Sequence, residues 1–130
     1  FTFQPYFFKN YSDGGNDYSG NHLTGIPQYT NVLGVDLRLK NSVYGALILN
    51  CTAAIPLDDA NDIYARPYQL LQAKGGKQIE IFNVPVNVFV GIDNVLNETY
   101  SRGNNINVAG NNYYNPAPGR NFFVGGKLNL

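Results

Sequence analysis

The sequence has no methionine and no tryptophan, a single cysteine, a single histidine and few charges. Each shortage removes a class of chemistry. With Cys51 alone, an internal disulfide framework and a cysteine-based structural metal site are excluded. With His22 alone, a multi-histidine metal site is excluded, and a histidine-based triad has one residue to build on. That residue lies in a Gly/Asn loop between Asn21 and Leu23, the setting of an exposed turn. Charged residues make up 14% of the chain, against about 25% in soluble domains, and nine basic residues cancel nine acidic ones. Nothing in that balance draws nucleic acid. No apolar run reaches the roughly 18 residues of a membrane-spanning helix, and no signal peptide opens the chain. A start in mid-strand at Phe1 and the missing methionine read as a piece of a longer protein.

What is present is alternation. At 44% hydrophobic and 14% aromatic residues the chain has the apolar content of a folded protein. Val86, Val88, Val90 and Ile92 fall on one face of an expected strand from Val86 to Asn97, and Asn87, Phe89, Gly91 and Asp93 on the other. A period of two is what a pleated strand imposes. The last strand repeats it, with Phe122, Val124, Gly126, Leu128 and Leu130 against Asn121, Phe123, Gly125, Lys127 and Asn129. Four earlier strands are expected: Phe1 to Tyr11, interrupted by Pro5; Tyr29 to Lys40; Val43 to Ala54, after a short Asn41-Ser42 turn; and Tyr68 to Asn83, with a bulge or bend at Gly75-Gly76. A tight Val84-Pro85 turn then enters the next strand. Long polar loops at Ser12 to Gly25, after Pro56, and between Asn97 and Asn121 separate the short turns. The fold class is therefore all-β, an antiparallel up-and-down meander of about six strands.

Catalytic signals are poor, and the chain does not read as an enzyme. Gly75-Gly76-Lys77 and Gly125-Gly126-Lys127 lack the full phosphate-loop spacing and a following helix. Asp58-Asp59-Ala60-Asn61-Asp62 lacks the spaced glycine and terminal glutamate of an EF-hand, so a solvated loop or a weak surface site shared with lipopolysaccharide-bridging cations is expected, and no metal or cofactor is assigned. Two environments fit the alternation. A water-soluble barrel keeps its apolar face inside and presents abundant Lys and Glu outside, whereas an outer-membrane barrel is apolar outside and polar within. The polar faces here carry Asn, Gln, Thr, Gly and single charges, which favours a wet lumen over a solvated exterior. Tyr11, Tyr29, Tyr64, Tyr68, Tyr100, Tyr113 and Tyr114 fall near expected strand ends, where amphipathic rings settle at a lipid boundary. Long loops on one side and short turns on the other agree with a transmembrane β-barrel.

Four segments carry a family resemblance. Gly91-Ile92-Asp93-Asn94-Val95-Leu96-Asn97-Glu98-Thr99-Tyr100 is followed by Tyr113-Tyr114-Asn115-Pro116-Ala117-Pro118-Gly119-Arg120-Asn121-Phe122-Phe123-Val124-Gly125. Upstream stand Gly20-Asn21-His22-Leu23-Thr24-Gly25-Ile26-Pro27 and Pro56-Leu57-Asp58-Asp59-Ala60-Asn61. In order and spacing they resemble the C-terminal end of TonB-dependent outer-membrane receptors over nearly the whole chain, so residues 1–130 are expected to be the C-terminal portion of such a barrel. One departure is Leu130, where that family usually ends on an aromatic residue. The resemblance implies part of a barrel of about 22 strands around a plug, in the outer membrane of a bacterium. It implies energy-coupled uptake of a scarce nutrient, an iron–siderophore complex first, with outer-membrane lipid as one partner. An inner-membrane coupling protein would be reached through an N-terminal region absent from this sequence. Cargo contacts are expected from the external loops, at Tyr18, His22, Asn61, Tyr64, Arg102, Asn104, Tyr113 and Tyr114. A soluble ligand-binding barrel and a structural outer-membrane protein are the other readings. An isolated sheet of this kind is expected to self-associate.

Overall fold

The computed structural model describes residues 1–128; the end of the last expected strand, at Asn129 and Leu130, lies outside the described residues. The strands are β1 (Thr2–Phe3), β2 (Ser12–Asp13), β3 (Asn16–Asp17), β4 (Tyr29–Arg38), β5 (Val43–Thr52), β6 (Ile55–Pro56), β7 (Tyr64–Ala65), β8 (Tyr68–Ile81), β9 (Val84–Asp93) and β10 (Asn121–Leu128). One 3₁₀ turn, Ala109–Asn111, interrupts the last long loop. Six strands form one antiparallel sheet in the order β1-β4-β5-β8-β9-β10, while β2 pairs with β3 and β6 with β7 in two small hairpins. The all-β meander expected from the alternation is therefore present. Among the described residues its sheet is open, not closed into a barrel.

Several boundaries differ from the sequence expectation, each for a local reason. The first strand shrinks to two residues, because Pro5 offers no N–H to a ladder; beyond it only Phe7 bridges to His22. Pro56, expected to break the ladder, lies within β6, opposite Tyr64. The turn expected at Val84-Pro85 is made instead by Phe82 (φ 49°) and Asn83 (φ 60°), both left-handed, as are Asn41 (φ 59°) and Ser42 (φ 57°) in the preceding turn. Two consecutive left-handed residues match the right-handed twist of flanking strands. Pro85 then pairs with Glu80, one residue beyond the Leu128–Val86 pair that ends the described β9–β10 ladder. β9 stops at Asp93, short of Asn97, because Asn94 turns left-handed and clamps Glu98: its Oδ1 accepts from the Glu98 N–H at 2.8 Å and its Nδ2 donates to the Glu98 carbonyl at 2.9 Å.

Toward β9 no bulge forms at Gly75-Gly76, where the β8–β9 ladder runs unbroken through Gly75–Val90 and Gly76–Phe89. Gly76 instead makes room for a side chain. The Tyr44 ring occupies the space a Cβ on Gly76 would need, and its hydroxyl donates to Asn87 Oδ1 at 2.8 Å. Between β9 and β10 the device is reciprocal: Phe123 covers Gly91, and Phe89 covers Gly125, on directly paired residues. Lys74 lies 4.0 Å above the Phe89 ring from the same side.

The chain divides into two compact units. One gathers residues 1–31, 51–68 and 99–117 and has a buried core of Leu57, Ala65 and Tyr113, packed by Ile55, Ile63 and Val108. The other holds residues 32–50, 69–98 and the described part of 118–130. Its register places Ile92 beside Phe122, Val90 beside Val124 and Val86 beside Leu128, so the expected apolar rows share one face across β9 and β10.

Candidate functional site

In the first unit the three long loops are tied together by the acidic stretch that follows β6. Leu57, fully buried, anchors this stretch, and its carbonyl accepts from the Asn107 N–H at 2.9 Å. Asp58 caps its own turn, its Oδ1 accepting from the N–H groups of Asp62 and Ile63, each at 3.0 Å. Asp59 reaches outward. Thr24 Oγ1 donates to its Oδ1, Tyr11 Oη donates to its Oδ2 at 3.2 Å, and Asn21 Nδ2 donates to its carbonyl at 2.8 Å. Its N–H donates to Asn107 Oδ1 at 3.0 Å. Burial pushes the Asp59 carboxyl up, but hydrogen bonding by Thr24, Asn107 and Tyr11 outweighs it and leaves the group below the usual carboxylate range. The Tyr11 phenol is raised, first by its bond to Asp59 and then by burial. Asp17 is lowered by hydrogen bonding from Ser19.

The residues expected to meet cargo all lie in this unit, and several are already engaged. His22 and Asn61 hold each other: the His22 N–H donates to Asn61 Oδ1 at 2.7 Å and Asn61 Nδ2 donates to the His22 carbonyl at 3.0 Å. The His22 ring packs on Phe7, centroids 4.5 Å apart. Tyr18 packs on Tyr11 at 5.9 Å and accepts from Asn16 Nδ2. Tyr113 is a core residue, 7% exposed, whereas its neighbour Tyr114 is exposed and donates its hydroxyl to the Tyr64 carbonyl at 3.1 Å. Arg102 is exposed, its N–H donating to the Asn115 carbonyl at 3.0 Å, and Asn104 Oδ1 accepts from the Asn115 N–H. Tyr64 and Tyr114 are thus brought together at the surface, and His22 and Asn61 face one another within the loops. Asn21, Thr24, Asp59 and Asn107, which hold the loops, were not singled out as site residues from the sequence. They are 35 to 48 residues apart where they meet Asp59, so no local spacing announces them.

The second unit offers surfaces of opposite character. Leu37, Leu47, Ala73, Val90 and Ile92 line one shallow apolar groove, and Val90, Ile92, Phe122 and Val124 line another. Val90 is 62% exposed, Phe122 74% and Val124 80%, whereas Val86, at the turn end of the same row, is buried and Ile92 is half-buried. A separate cleft is lined in part by Asp36, Arg38, Tyr44, Gln78 and Asn87. No group of three or more metal-ligating side chains occurs among the described residues. No protein-family model matches the chain.

Proposed function

We propose that this chain is part of the wall of a bacterial outer-membrane β-barrel, with the apolar rows of β4, β5, β8, β9 and β10 meeting lipid. The single observation that carries the reading is the exposure of those rows. Val88, Val90, Leu37 and Val124 are all open, where a soluble barrel would seal them in its centre. A contiguous exposed apolar face is costly in water and neutral in hydrocarbon. Strand length supports the same environment: β4, β5 and β9 each have ten residues, within the roughly 9–11 that a tilted strand needs to cross a bilayer. Lys77, which pairs with Val88 on the apolar side, has a stem long enough to carry its ammonium toward the headgroups.

The sequence resemblance extends this to a TonB-dependent receptor importing a ferric chelate, energised by an inner-membrane protein acting on another part of the polypeptide. In that reading the tied loops face the outside, and Tyr64, Tyr114 and Arg102 are the exposed groups most open to cargo. Nitroxide scanning of β9 in lipid vesicles, on a Cys51→Ser chain, tests the wall. Labels at 88, 90 and 92 are expected to collide with dissolved oxygen, and labels at 87, 89 and 93 with an aqueous nickel complex. Equal accessibility of both faces, or a stable detergent-free monomer, refutes it. For the cargo, titration of the full-length receptor with a ferric chelate is expected to show saturable binding, weakened about tenfold by Arg102→Ala, the loss expected for one charge-assisted contact.

A further inference from the structure

We propose that Asp59 is an acid-labile clasp that holds the segment of residues 11–24 onto the loop of residues 57–63. The inference stands on the geometry of the loops and does not require the import reading. Every polar atom of Asp59 is taken by a partner from another part of the chain: Thr24 and Tyr11 on the carboxylate, Asn21 on the carbonyl, Asn107 on the N–H. Three of these four bridges run to the 11–24 segment, and the two made by the carboxylate depend on its charge. Protonation turns one acceptor oxygen into a donor, so the hydroxyls of Tyr11 and Thr24 compete for what remains, and both bonds become neutral and roughly half as strong. The mutual His22–Asn61 bonds lie on the same seam, so loosening it also frees the polar groups that these two residues now use on each other.

The sign follows from the direction of the shift. A carboxyl held below its usual range stabilises the joined state above that range, and the contribution disappears as pH falls through the folded value. The other ionisable groups near the seam do different work. Asp58 is turned inward on Asp62 and Ile63, and its carboxylate makes none of the bonds across the bridge. Asp62 contributes its N–H to that turn. Asp13 and Tyr18 act on Tyr11, raising its phenol further. Asp17 holds the Ser19 N–H at 2.9 Å within the 11–24 segment. His22 meets Asn61 through its backbone, and its ring faces Phe7 and Gln28. The loop of residues 99–117 brings the uncharged amide of Asn107.

Hydrogen exchange of the full chain in detergent micelles, corrected for intrinsic rates, tests the clasp on the amides of residues 20–25, which lie beyond the Asp17–Ser19 bond. Between about pH 7 and about pH 2 the protection of these amides is expected to fall about tenfold, the change expected when two charge-assisted bonds become neutral. Asp59→Asn is expected to show the low protection already at neutral pH and no acid step, and Asp58→Asn to keep the step. Tyr11→Phe and Thr24→Val, which leave Asp59 in place, are each expected to shrink it. Wild-type protection in Asp59→Asn at neutral pH, or an acid step that survives in that variant, overturns the proposal. So does a step of full size in both Tyr11→Phe and Thr24→Val.

Discussion

Individual residues carry more of this structure than its small core suggests. Among the described residues, nine that are not glycine take a positive φ, and seven of these are asparagine, whose short amide tolerates the left-handed region. Phe82 is the one aromatic residue among them, and it is 97% exposed at the tip of its turn. Because a bulky side chain at φ 49° is strained and Phe82 packs on nothing, Phe82→Gly is expected to raise stability by about 0.5–1 kcal/mol, read from urea unfolding in detergent. Adjacent tyrosines are expected to behave oppositely. Tyr113→Ala empties a core position and is expected to cost about 3–5 kcal/mol, abolishing protease resistance of the loops, while Tyr114→Phe removes one exposed hydrogen bond and is expected to cost under about 1 kcal/mol.

At the level of elements, the pairing of β9 with β10 is fixed by an interlock of rings and glycines. A slip of two residues would keep every side chain on its proper face, yet it would set Phe89 opposite Phe123 in one direction or Gly91 opposite Gly125 in the other. Gly91→Ala is therefore expected to cost about 1–3 kcal/mol by driving a methyl into the Phe123 ring, and adding Phe123→Ala is expected to recover most of that loss. A double-mutant cycle with no coupling between the two positions would sink this account. The apolar and polar faces of these strands were legible in the sequence because a period of two survives any error in where a strand ends. The turns were less legible: Phe82-Asn83 carries no glycine, so Pro85 drew the turn two residues too late. The tied loops were not legible, since side chains from distant segments meet there on backbone groups that carry no pattern. Gly75-Gly76 suggested a bulge or bend, whereas the β8–β9 pairing continues through it and the Tyr44 ring fills the space beside Gly76, a long-range contact that no local pattern announces.

For the molecule as a whole, the exposed apolar rows make the proposed lipid environment testable, because a charge placed on them reports it. Val90→Lys is expected to lower the inserted fraction in lipid vesicles, with a cost of about 2–4 kcal/mol if Val90 sits near the bilayer midplane, whereas Asn87→Lys on the opposite face is expected to insert normally. Flotation of the two variants with vesicles distinguishes them; equal recovery would remove the lipid assignment. The sheet also ends on a strand, β10, that has β9 on one side and no neighbour on the other among the described residues. Its outer backbone groups run from Asn121 to Leu128 as a ready template, with Phe122 and Val124 projecting on the apolar side. Whatever chain joins there must bring its own two-residue rhythm, in step, with greasy side chains beside Phe122 and Val124 and small or polar ones beside Phe123 and Gly125. A legitimate neighbour is recognisable by that complementary text, and a strand lacking it would leave the seam half closed.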